Sequence, residues 1–284
     1  MNLSQKSACA LALGGLLSGS IASAQFGAGP AELSLVEVRD NVYMIFNEAV
    51  PGNATAIITD DGVLLVDNKY AIDYDNIMTE LRKVTDQPIK YVINTHYHGD
   101  HSGSNALMQA DGSQVIAANN ARVKMVEAGQ SGLPDITLED HLRVYIGDVP
   151  VDAYYFGRSH TDGDVVVHLP DQSLVIMGDM YTHGQGLPQL IDYPGGGSAR
   201  AWTKSVDGVL GLNFETVIPG HGTVTDRAAL EAFRDDTVRL QETIQEMQRS
   251  QRSAADIEAV MRSEFGWEDF HVGMSLSGLL IELQ

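Results

Sequence analysis

Three histidines and an aspartate fall within six residues, in the run Thr95-His96-Tyr97-His98-Gly99-Asp100-His101. His96 and His98 are two apart, so in an extended segment they project to the same side. Gly99 carries no side chain and lets the chain turn tightly before Asp100 and His101. Such a loop can offer two nitrogens to one metal ion, and a carboxylate with a third nitrogen to a neighbouring one. Zinc and related ions favour these ligands. A surface loop with chance histidine content is the bland alternative, and a run this dense argues against it. Three later residues sit at strand exits in the same way: His160 in Ser159-His160-Thr161-Asp162, Asp179 in Met177-Gly178-Asp179, and His221 in Pro219-Gly220-His221-Gly222. Singly, each reads as a turn residue or a helix cap. Together with the loop they supply seven candidate ligands, enough for two metals.

The elements around these residues follow from apolar periodicity. Residues 33–38 and 42–47 alternate as half-buried strands, and 54–59 and 62–67 are two more, joined at Asp60-Asp61-Gly62. The spacing of Ile72, Ile77, Leu81 and Val84 predicts a helix over 72–85. A buried strand over 89–94 runs straight into the histidine loop. Next are expected a short helix, a strand near 114–117, a helix over 118–128 and a strand-rich stretch over 135–156. Strands near 164–169 and 173–177, a Gly- and Pro-rich loop over 183–198, a helix over 199–212 and a strand near 215–218 follow. Residues 226–249 read as a long amphipathic helix, 254–264 as a shorter one and 270–284 as a mixed tail. Strands followed by alternating strand and helix occur twice with no linker between them. This predicts one α/β domain of two packed sheets with helices outside.

Composition narrows the function. The chain has 18 Lys and Arg against 38 Asp and Glu, a formal net charge of -20. That argues against a nucleic-acid binder, which reads phosphates with clustered cations. Residues 1–24 read as a secretory signal peptide: Lys6, the apolar stretch Ala8 to Leu17, then the small-x-small site Ala22-Ser23-Ala24 before Gln25. The apolar stretch is too short to span a bilayer, which takes ~20 residues. The expected location is periplasmic or secreted, with no membrane attachment after cleavage. Cys9, the only cysteine, falls in this leader, so the mature chain has no thiolate ligand and no disulfide. The remaining 25–284 is expected to form a single domain with a C-terminal helical extension over about 226–284.

At this point the chain resembles the metallo-β-lactamase superfamily. Its five motifs match in order: Asp67 after the early strand, His96/His98/Asp100/His101, His160, Asp179 and His221. The resemblance covers roughly residues 33–225 and implies an αββα sandwich of two mixed β-sheets flanked by helices. It implies that His96, His98 and His160 hold one metal, that Asp100, His101 and His221 hold another, and that Asp179 bridges. Asp67 would be a carboxylate that orients a metal-bound histidine. His141, His168 and His271 are expected to be non-ligands, and His183 to be a possible substrate neighbour. The implied cofactors are two Zn2+ per chain, with Mn or Fe as alternatives. The implied activity is attack on a carbonyl of a small-molecule substrate by a metal-bridging hydroxide, with Asp100 as the catalytic residue that orients it.

Export favours β-lactams as the substrate. The ligand set departs from the true β-lactamases, because Asp179 stands where some have cysteine and no lysine follows it. It looks more like that of lactonases, phosphodiesterases and glyoxalase II, so lactone, ester or thioester hydrolysis is the alternative. Glyoxalase II itself is disfavoured, since the arginines of 226–264 are dispersed among acids. Alternatives of another class are iron-dependent oxygen chemistry and a non-catalytic metal-binding role. The loops 47–54 and 181–198 are expected to line the site.

Overall fold

The computed structural model describes residue 30 and residues 32–47, 52–183 and 190–284. The expected leader, Gln25 and parts of the loops 47–54 and 181–198 lie outside the described residues.

Four antiparallel strands open the fold: β1 (Ser34–Arg39), β2 (Val42–Phe46), β3 (Ala54–Thr59) and β4 (Gly62–Val66). A short 3-10 turn leads into α1 (Tyr74–Leu81), which returns the chain to β5 (Ile89–Ile93), parallel to β4. Short helices α2 (Gly99–Ser102) and α3 (Asn105–Ala110) carry the chain to β6 (Gln114–Ala118), and α4 (Asn119–Glu127) to β7 (Ile136–Leu138). These seven strands form one sheet in sequence order.

The second sheet is built from β8 (His141–Ile146), β9 (Val149–Tyr154), β10 (Val166–Leu169), β11 (Leu174–Ile176), β12 (Thr216–Ile218) and β13 (Thr225–Asp226). Its order is β13-β12-β11-β10-β9-β8, with only β11 and β12 parallel. Parallel strands need a crossover, and α5 (Ala199–Leu210) lies within that between β11 and β12. α6 (Arg227–Arg249) and α7 (Ala254–Phe265) follow. The tail is helical throughout: α8 (Asp269–His271), a π turn at Val272–Leu276 and α9 (Ser277–Glu282).

Side-chain alternation divides the apolar residues into three layers. In β4, Leu64 and Val66 face the other sheet while Val63 and Leu65 face α1 and α3. In β11, Leu174 and Ile176 face inward and Val175 outward toward α5 and α6. Burying each such side chain is worth roughly 1.5–3 kcal/mol. The expected αββα sandwich is therefore the observed one. Element ends differ from expectation by one or two residues at most strands. The helix expected at 72–85 is a 3-10 turn joined to a helix ending at Leu81, and the tail read as mixed is helix. Residues 270–284 hide their helical period, because Phe270, Met274 and Ile281 are exposed on one side while Leu276, Leu279 and Leu283 are buried on the other.

Trp202 on α5 links packing to the site. It is 1% exposed, and its indole N–H donates to the Met180 carbonyl at 2.9 Å, one residue after Asp179. Trp202→Ala is expected to cost about 3–5 kcal/mol, read as a fall in the urea midpoint, and to loosen the turn that carries Asp179.

Candidate metal centre

All seven expected ligands converge at one end of the two sheets. β5 is buried at Ile89, Val92 and Ile93 and stops there, while the backbone N–H of Asn94 is still paired to the Ile116 carbonyl (2.8 Å). From there a buried amide network fixes the loop. Asn94 donates to the His101 carbonyl (3.1 Å) and accepts from Asn105 (2.8 Å), and Asn105 accepts from Asn68 (2.6 Å). The loop thus presents His96 and His98 from the bent segment before α2, with His98 extended, and Asp100 and His101 from the first turn of α2. His160 lies between β9 and β10, Asp179 in a 3-10 turn after β11, and His221 after β12. β4 ends one residue earlier than expected, and Asp67 adopts the left-handed conformation (φ 58°). Aspartate tolerates that region better than most residues.

The outer hydrogen bonds assign the imidazole tautomers. Thr95 Oγ1 donates to Asp67 Oδ2 (2.7 Å), so it accepts from His96 Nδ1 (3.1 Å). His98 Nε2 donates to Asp192 Oδ2 (3.0 Å), His160 Nδ1 to the Leu190 carbonyl (2.7 Å) and His101 Nδ1 to Asp67 Oδ2 (2.8 Å). In neutral rings this leaves a lone pair on the other nitrogen of each. The lone pairs of His96, His98 and His160 face one another, and that of His101 faces the His221 ring. His98 Nδ1 lies 3.0 Å from His96 Nε2 and 3.0 Å from His160 Nε2, and His101 Nε2 lies 3.4 Å from His221 Nε2.

Asp179 stands between the two sets. Its Oδ1 is 3.2 Å from His101 Nε2 and 3.1 Å from His221 Nε2, and its Oδ2 is 3.6 Å from His160 Nε2 and 3.9 Å from His96 Nε2. Oδ1 is buried and makes no directed hydrogen bond. A Cβ on Gly220 would lie 2.2 Å from this oxygen, so only glycine leaves the carboxylate its place. Acceptors facing acceptors in a buried site call for a cation. The atoms fall into two groups, His96/His98/His160/Asp179 and Asp100/His101/His221, each with ligand atoms within 4.8 Å of one another. Both fit a divalent metal.

Electrostatics say the same. Burial, with the neighbouring His101, holds the His96 imidazole far below its ordinary pKa. Burial also opposes charge on His101, but Asp179, Asp100 and Asp67 outweigh it, so its pKa stands well above the usual value. Burial would raise the pKa of Asp179, yet His221 and His101 hold it far below the carboxylate range.

Sequence reasoning missed several supporting residues. Asp192 is 3% exposed and takes bonds from both His98 and the Tyr97 hydroxyl (2.5 Å). It is the only acid in the Gly- and Pro-rich stretch 183–198, a signal that could have marked it. Asp192→Asn is expected to weaken metal binding ~10–100-fold, measured by competition with a chromophoric chelator. Lys69 is fully buried, and its ammonium donates to the Gly52 carbonyl. Burial lowers its pKa to about 8 against the pull of Asp73, Asp100 and Asp67.

The remaining histidines lie in neither group. His183 bonds the Tyr181 hydroxyl (2.8 Å), His141 bonds Asp152 (2.8 Å), and His168 bonds the Asn213 carbonyl (3.0 Å). His271 accepts from the Glu268 N–H (3.1 Å). Among the described residues no helix is long and apolar enough to cross a membrane.

Known proteins carry the same architecture. The chain is similar to the type 2 metallo-β-lactamase of Bacillus cereus, 27% identical over 216 residues, covering 70% of this chain and 80% of the relative. It is 26% identical over 205 residues to that of Bacteroides fragilis, covering 67% and 80%. A metallo-β-lactamase from Pontibacter korlensis superposes with a TM-score of 0.65 at 22% identity, over 72% of this chain and 98% of that one. The DIM-1 metallo-β-lactamase gives 0.63 at 21% identity, over 74% and 98%. The sequence model of the metallo-β-lactamase superfamily matches residues 47–221, from just before β3 through His221. That span is more than half of the chain and contains every residue of the two ligand groups, so the chain belongs to the metallo-β-lactamase superfamily.

Proposed function

We propose that this protein is an exported hydrolase that holds two divalent metal ions, zinc first among them, and opens the amide of a β-lactam ring. The observation that carries this reading is the buried Asp179 carboxylate, set between two histidine-bearing groups of candidate ligands. His96, His98 and His160 would hold one ion, Asp100, His101 and His221 the other, with Asp179 shared. Such a pair of ions lowers the pKa of a bound water toward neutrality and polarises a carbonyl oxygen.

The chain's own residues then set geometry and protons. Asp67 and Thr95 fix the rings of His101 and His96, and Asp192 fixes His98. Asp100 Oδ2 lies 3.4 Å from His221 Nε2 and 3.5 Å from His101 Nε2, and its side chain keeps 14% exposure. It can orient an attacking water and accept its proton. Relatives that are metallo-β-lactamases support the lactam as substrate.

A second reading, hydrolysis of an uncharged lactone, ester or thioester, has its own support. Neither residues 47–54 nor 181–198 contain a lysine or arginine to receive a lactam carboxylate. The oxygen ligand Asp179 also suits Mn or Fe as well as zinc. The test is the zinc-loaded mature protein assayed against a chromogenic cephalosporin, a lactone and a thioester. Cephalosporin turnover is expected. Lactone or thioester turnover alone moves the assignment to the second reading, and no turnover of any of the three contradicts a hydrolase. For export, intact-mass measurement on protein from the native host is expected to show Gln25 first, and Met1 retained in a cytoplasmic fraction contradicts it.

A further inference from the structure

Two imidazoles of the three-histidine group are oriented from one short segment. The Leu190 carbonyl accepts from His160 Nδ1 (2.7 Å), and Asp192 accepts from His98 Nε2 (3.0 Å). Ile191, between them, is fully buried and points away from the site into the cluster formed by the helices. One side of this segment is fixed to the His160 turn, through Asp192 N to the His160 carbonyl (2.9 Å) and Asp162 N to the Gly195 carbonyl (3.0 Å).

The other side is fixed by the tail. Ile191 N donates to Ser275 Oγ (2.9 Å), which also lies 3.4 Å from the Ile191 carbonyl. Ser275 is fully buried inside the π turn, beside Leu276 and Leu279. Its hydroxyl costs free energy there unless it is bonded. π turns of this kind frequently mark functional positions. Three residues on, a Cβ at Gly278 would lie 2.2 Å from Tyr193 Cδ2, so the Tyr193 ring rests directly on the helix backbone. Four residues further, Glu282 accepts from the Tyr193 hydroxyl (2.7 Å), from Ala199 N (2.8 Å) and from the Ser198 hydroxyl. The spacing three then four places Ser275, Gly278 and Glu282 on one helical face. The superfamily match ends at His221, and this tail lies beyond it.

We propose that the C-terminal helix is a positioning element for the first metal, acting through Ser275, Gly278 and Glu282 on residues 190–199. These residues contact residues 191–200 and make no bond to the ligand atoms themselves. They hold Leu190 and Asp192 where those orient His160 and His98. The proposal rests on the reading of His96, His98 and His160 as a metal site.

The test is a cobalt(II) titration of the full mature chain, followed by visible absorption and by chelator competition. Wild type is compared with Ser275→Ala, Gly278→Ala and, as positive control, Asp192→Asn. Gly278→Ala favours the helix itself, since alanine is the better helix former, while forcing Tyr193 to move. In both tail variants the affinity of the three-histidine group is expected to fall ~10-fold, the lower end for lost outer partners, with an altered cobalt spectrum. The Asp100/His101/His221 group should bind as in wild type. Tail variants that bind both ions like wild type, whatever their melting temperature, overturn the proposal. Equal weakening of both groups also overturns it, since that is the mark of a general loss of structure. A wild-type chain that binds no cobalt overturns the metal reading itself, and is thereby distinguished from failure of the tail's role.

Discussion

Asp179→Asn is expected to lose metal and turnover together, with turnover falling more than the ~10–100-fold typical of an outer partner. The substitution keeps shape and removes charge. In the native site the carboxylate lies within 3.2 Å of two imidazole nitrogens of one group and within 3.9 Å of two of the other. Its charge is what draws two cations into one buried space and offsets their mutual repulsion. An asparagine amide presents a neutral oxygen to one group and N–H donors to the other, where lone pairs then bond to hydrogen instead of metal. Asp179 lies nearer the nitrogens of His221 and His101 (3.1 and 3.2 Å) than those of His160 and His96 (3.6 and 3.9 Å), so the ion of the Asp100/His101/His221 group should be weakened more than the first. Added zinc should restore part of both occupancy and rate. If Asp179 only stabilises its turn, the variant melts earlier but keeps full occupancy. Metal content and melting temperature on one preparation separate the two outcomes.

Asp67→Ala is expected to be the most damaging change outside the ligands. Asp67 is 2% exposed and accepts from Thr95 N (2.7 Å), the Thr95 hydroxyl (2.7 Å) and His101 Nδ1 (2.8 Å). Alanine leaves all three donors buried without a partner and is poorly suited to φ 58°. Breaking a buried charged network by removing one partner costs about 3–5 kcal/mol. Asp67→Asn separates folding from function. It tolerates the left-handed backbone and can still accept from Thr95 N. Its amide nitrogen, however, meets His101 Nδ1–H as donor against donor, which rotates the ring or moves its proton to Nε2. A small shift in melting temperature with ~10–100-fold weaker metal binding is the expected pair of results. A variant that unfolds early yet binds metal normally contradicts the orienting role.

Much of this was legible in the sequence because the ligand loop is local. His96, His98, Asp100 and His101 are fixed by six residues of chain, and the buried strand before them announces where they emerge. Strands followed by alternating strand and helix, twice over with no linker between, likewise implied two packed sheets with helices outside. What could not be read are contacts made by residues far apart. Asp192 meets His98 across 94 positions, Ser275 meets Ile191 across 84, and Lys69 reaches Gly52 through a backbone turned left-handed at both Asp67 and Lys69. Periodicity carries no information about such partners. The tail misled for a different reason. Its helix shows apolar residues on both the buried and the exposed side, which erases the amphipathic signal, and a π turn shifts the register midway.

On the reading proposed above, seven side chains from both halves of the fold make one site for two metal ions. Elemental analysis of the mature protein, purified without chelators and normalised to protein by amino-acid analysis, tests it most directly. Two divalent metal ions per chain are the expected result, with zinc foremost. One ion or none contradicts the two-metal site.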